Sequence, residues 1–266
     1  MERMERTFYG APAAADVHRE IVNLCRFVEG SPLAIELLAP LVAQDPSAQW
    51  TALLSRDFDL LSTPRADVPR RQRSLRTVFE QTWGLLLADE KRLLAACAVF
   101  RAPFAADAAG VTGRGDATAR IRRLLMALVQ RSLVTADGSR FSMHPLLRQF
   151  AAEKLAADPP WQATVRQAHA RFFMERLAQA QDQLYTVDEA ETMRALAGVR
   201  EDLFAAWSWC VEQGEIDLLA ANAPLCVLCD LRGWWREGEN LLAAAAADHG
   251  TRRPCSLWPV CRPGRR

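Results

Sequence analysis

Apolar positions recur at helical spacing along most of this chain. Ile21, Leu24, Cys25 and Val28 form one stripe within 17–28, and Leu33, Leu37, Leu38 and Leu41 resume it after Glu29-Gly30-Ser31-Pro32. That pattern predicts a helix, a glycine turn, and a second helix begun by proline. Trp50 to Leu61 reads as a further short amphipathic helix. Ser62 to Arg73, rich in proline and arginine and without apolar period, reads as a linker. Ser74 can cap the next helix, in which Leu75, Val78, Phe79, Trp83 and Leu86 share a face. Another helix is expected over Asp116–Gln130, with Ile121, Leu124, Leu125, Leu128 and Val129 inward.

The period then changes. Leu133-Val134-Thr135 reads as a strand, Ala136-Asp137-Gly138-Ser139 as turn chemistry, and Phe141-Ser142-Met143 as the returning strand. Directly after this hairpin Leu146, Leu147, Phe150, Ala151 and Leu155 return to helical spacing, with Pro145 in the first turn and His144 at the junction. Asp158-Pro159-Pro160 reads as a break, and beyond it paired helices are expected over Val165–Ala180, Glu201–Glu212, Ile216–Arg232 and Trp234–Ala247. The predicted fold class is mainly α with one small β-hairpin. Its segments are a helical bundle over 17–61, a linker over 62–73, a helix–hairpin–helix domain over 74–157 and a helical array over 161–249. Residues 1–16 carry no period and read as a disordered or truncated beginning, and 250–266 as an unstructured tail.

Composition narrows the function classes. The chain has 266 residues, 50% of them hydrophobic, enough to bury a sizeable core. No apolar run approaches the roughly 18–20 residues of a membrane span, and the charged start is unlike a signal peptide. With 33 basic and 32 acidic residues the formal charge is +1, so no global field draws the chain to nucleic acid or acidic lipid. Seven cysteines without secretory features suit reduced thiols in the cytoplasm. Cys226 and Cys229 form a CxxC with no second ligand pair nearby, which suits helix packing better than a metal.

Three stretches resemble the STAND signal-transduction ATPases, the NB-ARC-like regulators. The run MHPLLRQFAAEKL, with Met143-His144-Pro145, is similar to that family's Met-His-Asp type motif at the end of its winged-helix domain. CRFVEGSPLAIELLAPLV resembles its Gly-x-Pro region, with Ser31 where an apolar residue is usual. RSLRTVFEQTWGLL followed by EKRLLAACAVFRAPF resembles the opening of the winged helix, with Ala102 in place of a glycine. REDLFAAWSWCVEQGEIDLLA and RGWWREGENLLAAAAA look like the start of a tetratricopeptide-like array, which needs stacked neighbours to bury its apolar faces. The resemblance covers most of Val17 to Ala247.

It implies a nucleotide-dependent switch of transcriptional-regulator type, often LuxR-type. Gly30 and Pro32 would border adenine, His144 would meet the β-phosphate of ADP, and the helical array would bind protein partners. The residues alone also allow a plainer account, in which Gly30-Pro32 is a helix corner and His144 caps its own helix. A Walker loop requires Gly-x4-Gly-Lys-Ser/Thr, and neither Lys91 nor Lys154 follows such a frame. No enzymatic activity is therefore expected of these residues. ADP or ATP would bind only together with a P-loop domain. A winged helix also raises DNA binding, which would use Arg120, Arg122 and Arg123. The mixture of those arginines with Ala117, Ala119, Met126 and Ala127 disfavours base readout. A third reading is a helical interaction module that binds a protein and no nucleotide.

Overall fold

The computed structural model describes residues 15–28, 30, 32–45, 49–54, 75–113, 118–183, 189–215, 218 and 222–249. Among them the fold is mainly helical, with one small antiparallel sheet. The predicted cap at Ser74, the linker at 62–73, the rest of the Trp50–Leu61 helix, 1–14 and 250–266 lie outside the described residues, while Ala15 and Asp16, expected in a disordered beginning, are helical.

The contacts divide the chain into two compact units. The first gathers the described residues up to Ala98 with Leu124–Thr135 and Met143–Ala157. The second gathers Val99–Arg123, Ala136–Ser142 and the described residues from Asp158 onward.

In the first unit, α1 (Ala15–Phe27), α2 (Pro32–Gln44) and α3 (Trp50–Leu54) bury Ile21, Leu24, Val28, Leu38, Val42 and Leu54. Glu20 on α1 accepts a hydrogen bond from the Thr51 N–H at 2.8 Å, which pins the start of α3. Further along, α4 (Leu75–Gly84) and α5 (Ala88–Cys97) pack on α8 (Pro145–Ala156). Phe150 is the centre of that contact, 5.6 Å from the Phe79 ring and 5.9 Å from Trp83 in an edge-on arrangement. Buried Glu90 closes the first turn of α5 by accepting from the Leu87 N–H at 2.8 Å, and lies 3.6 Å from Arg131.

The chain order α7 (Thr118–Gln130), β2 (Thr135–Asp137), β3 (Arg140–Ser142), α8 follows the predicted helix, hairpin and helix, with residue-level corrections. The first hairpin strand begins at Thr135 rather than Leu133, because Leu133 and Val134 are buried in a turn that closes α7. There Ser132 takes a left-handed φ of 59°, and the Leu133 N–H donates to the Leu128 carbonyl at 3.0 Å. The hairpin turn is therefore Gly138-Ser139 alone, with Gly138 at φ 58°. A further strand, β1 (Phe104–Ala105), has no counterpart among the predicted elements and pairs antiparallel with β3 in the register Phe104 to Phe141 and Ala105 to Arg140. Two residues are too short to show an alternation.

In the second unit, α9 (Pro159–Gln179) is the central helix. It packs on α6 (Ala106–Gly113) and on α11 (Arg200–Gln213). The expected break at Asp158-Pro159-Pro160 is instead the start of α9: Asp158 accepts from the Trp161 N–H at 3.1 Å, and both prolines sit where a helix needs no N–H donor. A short 3₁₀ turn at Ala180–Gln183 ends it. The helix α10 (Glu189–Ala197) had no prediction, while α12 (Asn222–Arg232) and α13 (Trp235–His249) fall within or near the predicted spans. Trp207 on α11 is buried, and its indole N–H donates to the Leu241 carbonyl of α13 at 3.0 Å. Gly214 and Gly233 end α11 and α12 with φ near 73° and 70°, the left-handed geometry that glycine takes without a steric penalty.

Candidate functional site

His144 is the N-cap of α8. Its backbone is extended, with φ −54° and ψ 136°, and its Nδ1 accepts a hydrogen bond from the Leu146 N–H at 3.1 Å. With Nδ1 used as acceptor, the neutral ring carries its proton on Nε2. That Nε2 is buried and has no hydrogen-bond partner among the described residues. A buried donor left without an acceptor costs about 1–3 kcal/mol. The ring therefore caps its own helix with one nitrogen and keeps the other buried.

Gly30 follows α1 with φ 71°, and its N–H donates to the Cys25 carbonyl at 3.0 Å. The residue is exposed, and a Cβ placed there would meet nothing within 4 Å, so glycine is required by its backbone angle rather than by space. Pro32 is the first residue of α2, and its ring lies outside the described side chains. Gly30 and His144 belong to the same compact unit, but no described hydrogen bond, ion pair or ring contact links them.

Arg120, Arg122 and Arg123 are exposed on α7, whose buried face carries Ile121, Leu125 and Leu128. Met126 is exposed on the same helix. Cys226 and Cys229 are buried on α12, and among the described residues no group of three or more histidine, cysteine or acidic side chains is placed to hold a metal ion. Burial, and behind it Glu237, raises the Cys229 thiol to about 12 against an opposing effect of Arg200. Burial and then Glu215 raise Cys210 to about 12 as well. Both stay thiols at neutral pH and are poor nucleophiles.

One buried polar centre has no signature in the sequence. Asp202, in the first turn of α11, is completely buried. One carboxylate oxygen accepts from the Arg101 N–H at 2.7 Å and lies 3.1 Å from His169 Nε2, while the other accepts from the Ala102 N–H at 3.1 Å. His169 on α9 is itself buried, with its ring 4.7 Å from Phe173 and 5.3 Å from Phe100. Phe100 in turn stacks on Phe104 at 4.4 Å. An acidic residue at a helix start is ordinarily a solvated partner of the helix dipole, so nothing local marked Asp202 as buried.

No family model matches the chain. A Mycobacterium tuberculosis protein named "Putative HTH-type transcriptional regulator Rv0890c" is 28% identical over 224 residues, which are 81% of this chain and 25% of that protein. The Mycobacterium bovis protein of the corresponding name matches to the same extent. The chain is distantly related to these regulators. It spans about a quarter of their length. A second Mycobacterium tuberculosis protein, uncharacterized, is 28% identical over 149 residues, 53% of this chain and 38% of its own length. Among the described residues no helix is long and apolar enough to cross a membrane.

Proposed function

We propose that this chain is the regulatory part of a nucleotide-dependent signal-transduction switch of the transcriptional-regulator type. In this reading a P-loop domain holds ADP or ATP, and the chain supplies the groups that sense which is bound. His144 Nε2 donates to the β-phosphate, and Gly30 and Pro32 border the adenine. The helical array carries the response to protein partners. The observation that carries the reading is the buried Nε2 donor without an acceptor, held in place because the other ring nitrogen caps α8. Distant relatives named as transcriptional regulators, of which the chain covers a quarter, supply the context of a larger protein.

Such a switch works through contacts that differ between its two states. A donor satisfied by ADP in one state and orphaned in the other shifts the equilibrium toward the first, by an amount limited to the difference between those contacts. By itself the chain is expected to turn over no ATP, since its sequence carries no Walker loop to position the phosphates.

The test is ADP retention by a fusion of this chain to a P-loop domain of the resembled family. His144→Asn keeps an N-cap acceptor and so preserves α8. The fusion is expected to retain ADP through purification, and His144→Asn to weaken retention about tenfold, the effect of losing one hydrogen bond to a charged group. Equal retention by both proteins would remove His144 from the nucleotide site and favour a nucleotide-independent interaction module.

A further inference from the structure

Beside the Asp202 centre the second unit contains a cavity of about 350 Å³. Its walls are the Arg101–Pro103 turn, the Gly198–Glu201 segment that starts α11, and Trp234. We propose that this cavity binds a small ligand bearing an oxyanion, a phosphate or a carboxylate, through Arg101 and Arg200. The proposal is independent of the nucleotide reading above, and neither stands or falls with the other.

The walls are fixed from behind. Asp202 accepts both main-chain N–H groups of Arg101 and Ala102, and the Arg140 guanidinium donates to the Pro103 carbonyl at 3.1 Å. The turn therefore presents the cavity with a backbone that is already hydrogen-bonded on its far side. Binding there would not have to order it.

The charge in the cavity is held in place too. The Arg200 guanidinium lies 4.9 Å from the Trp234 ring centre and 5.9 Å from Phe204, and those two rings meet edge to face at 6.0 Å. Contact with the ring face attracts the guanidinium without using its N–H donors. Among the described residues, neither Arg101 nor Arg200 forms an ion pair. Glu201 is the opposing charge on the wall. The nearby Asp202 carboxylate adds little repulsion, because two N–H groups and His169 already occupy it. Two arginines and a flat indole lining one cavity match an oxyanion carried on a compact apolar or planar body.

Titration calorimetry of the full chain with inorganic pyrophosphate and, separately, phenylacetate tests the assignment. Saturable binding of pyrophosphate would place the ligand among phosphates, and of phenylacetate among aryl carboxylates. Arg101→Gln and Arg200→Gln are each expected to weaken the bound probe about tenfold, whereas Arg122→Gln on α7 leaves it unchanged. Arg101 is exposed, so its substitution keeps the test valid even if Arg200→Gln disturbs the Trp234 stack. No saturable binding of either probe, or binding indifferent to both substitutions, would overturn the proposal.

Discussion

Asp202 shows how much a single side chain can hold together. Its two oxygens serve two backbone donors and one imidazole, with no water-exposed surface left to replace them. Asp202→Asn retains one acceptor oxygen but turns an amide N–H toward a main-chain donor. It is expected to cost about 1–3 kcal/mol, read as a lower urea midpoint with unchanged slope. A loss below about 0.5 kcal/mol, the range of neutral surface changes, would mean the centre is solvated rather than buried. His144 is the contrasting residue: its position at a helix start is readable from Pro145 and the apolar stripe behind it, whereas the unpartnered Nε2 depends on the side chains that close over it.

At the scale of elements, the packing of α8 on α4 separates apolar from charged contributions. Arg76 reaches Glu153 through two hydrogen bonds of 2.7 and 3.0 Å, and Lys154 pairs with Glu80 at 2.6 Å while lying 4.9 Å from the Phe150 ring centre. The Arg76–Glu153 pair is about a third exposed on the arginine and 43% on the glutamate, so water screens it. Phe150 is 1% exposed and touches both Phe79 and Trp83. In chemical denaturation Phe150→Ala is expected to destabilise by about 3–5 kcal/mol and Arg76→Gln by under about 1 kcal/mol. A reversed order would mean that the charged rim, not the aromatic centre, holds α8 down. The aromatic face of this contact was legible because Phe79, Trp83 and Phe150 fall on helical stripes. The start of α9 was not, since Pro-Pro can either end a structure or open a helix and only the Asp158 cap decides.

For the whole molecule, the second unit keeps Cys210 and Cys229 in a neutral, buried form. Cys210 and Cys229 are raised to about 12 chiefly by burial, so folding favours the protonated thiol. That contribution is fully present below the unfolded-state value of about 8.5 and is lost as pH rises from there toward the folded value. Stability measured at stepped pH is expected to be level on this account up to about pH 8.5 and then to decline more steeply than in a Cys210→Ala/Cys229→Ala variant. Parallel curves for the two proteins would show that the thiols are solvated.

Sequence by itself determined that the chain is mainly helical, where most helices run, that a hairpin interrupts them, and which histidine and glycine stand at helix ends. These are local properties: a 3.6-residue period, a cap or a left-handed glycine is written within a few neighbouring residues. Tertiary structure alone decided what each face meets. The Asp202 carboxylate binds an N–H 101 residues away, and β1 becomes a strand only because β3 lies beside it. An apolar stripe reports that it will be covered but not by what, and a buried hydrogen bond takes its partner from packing rather than from spacing.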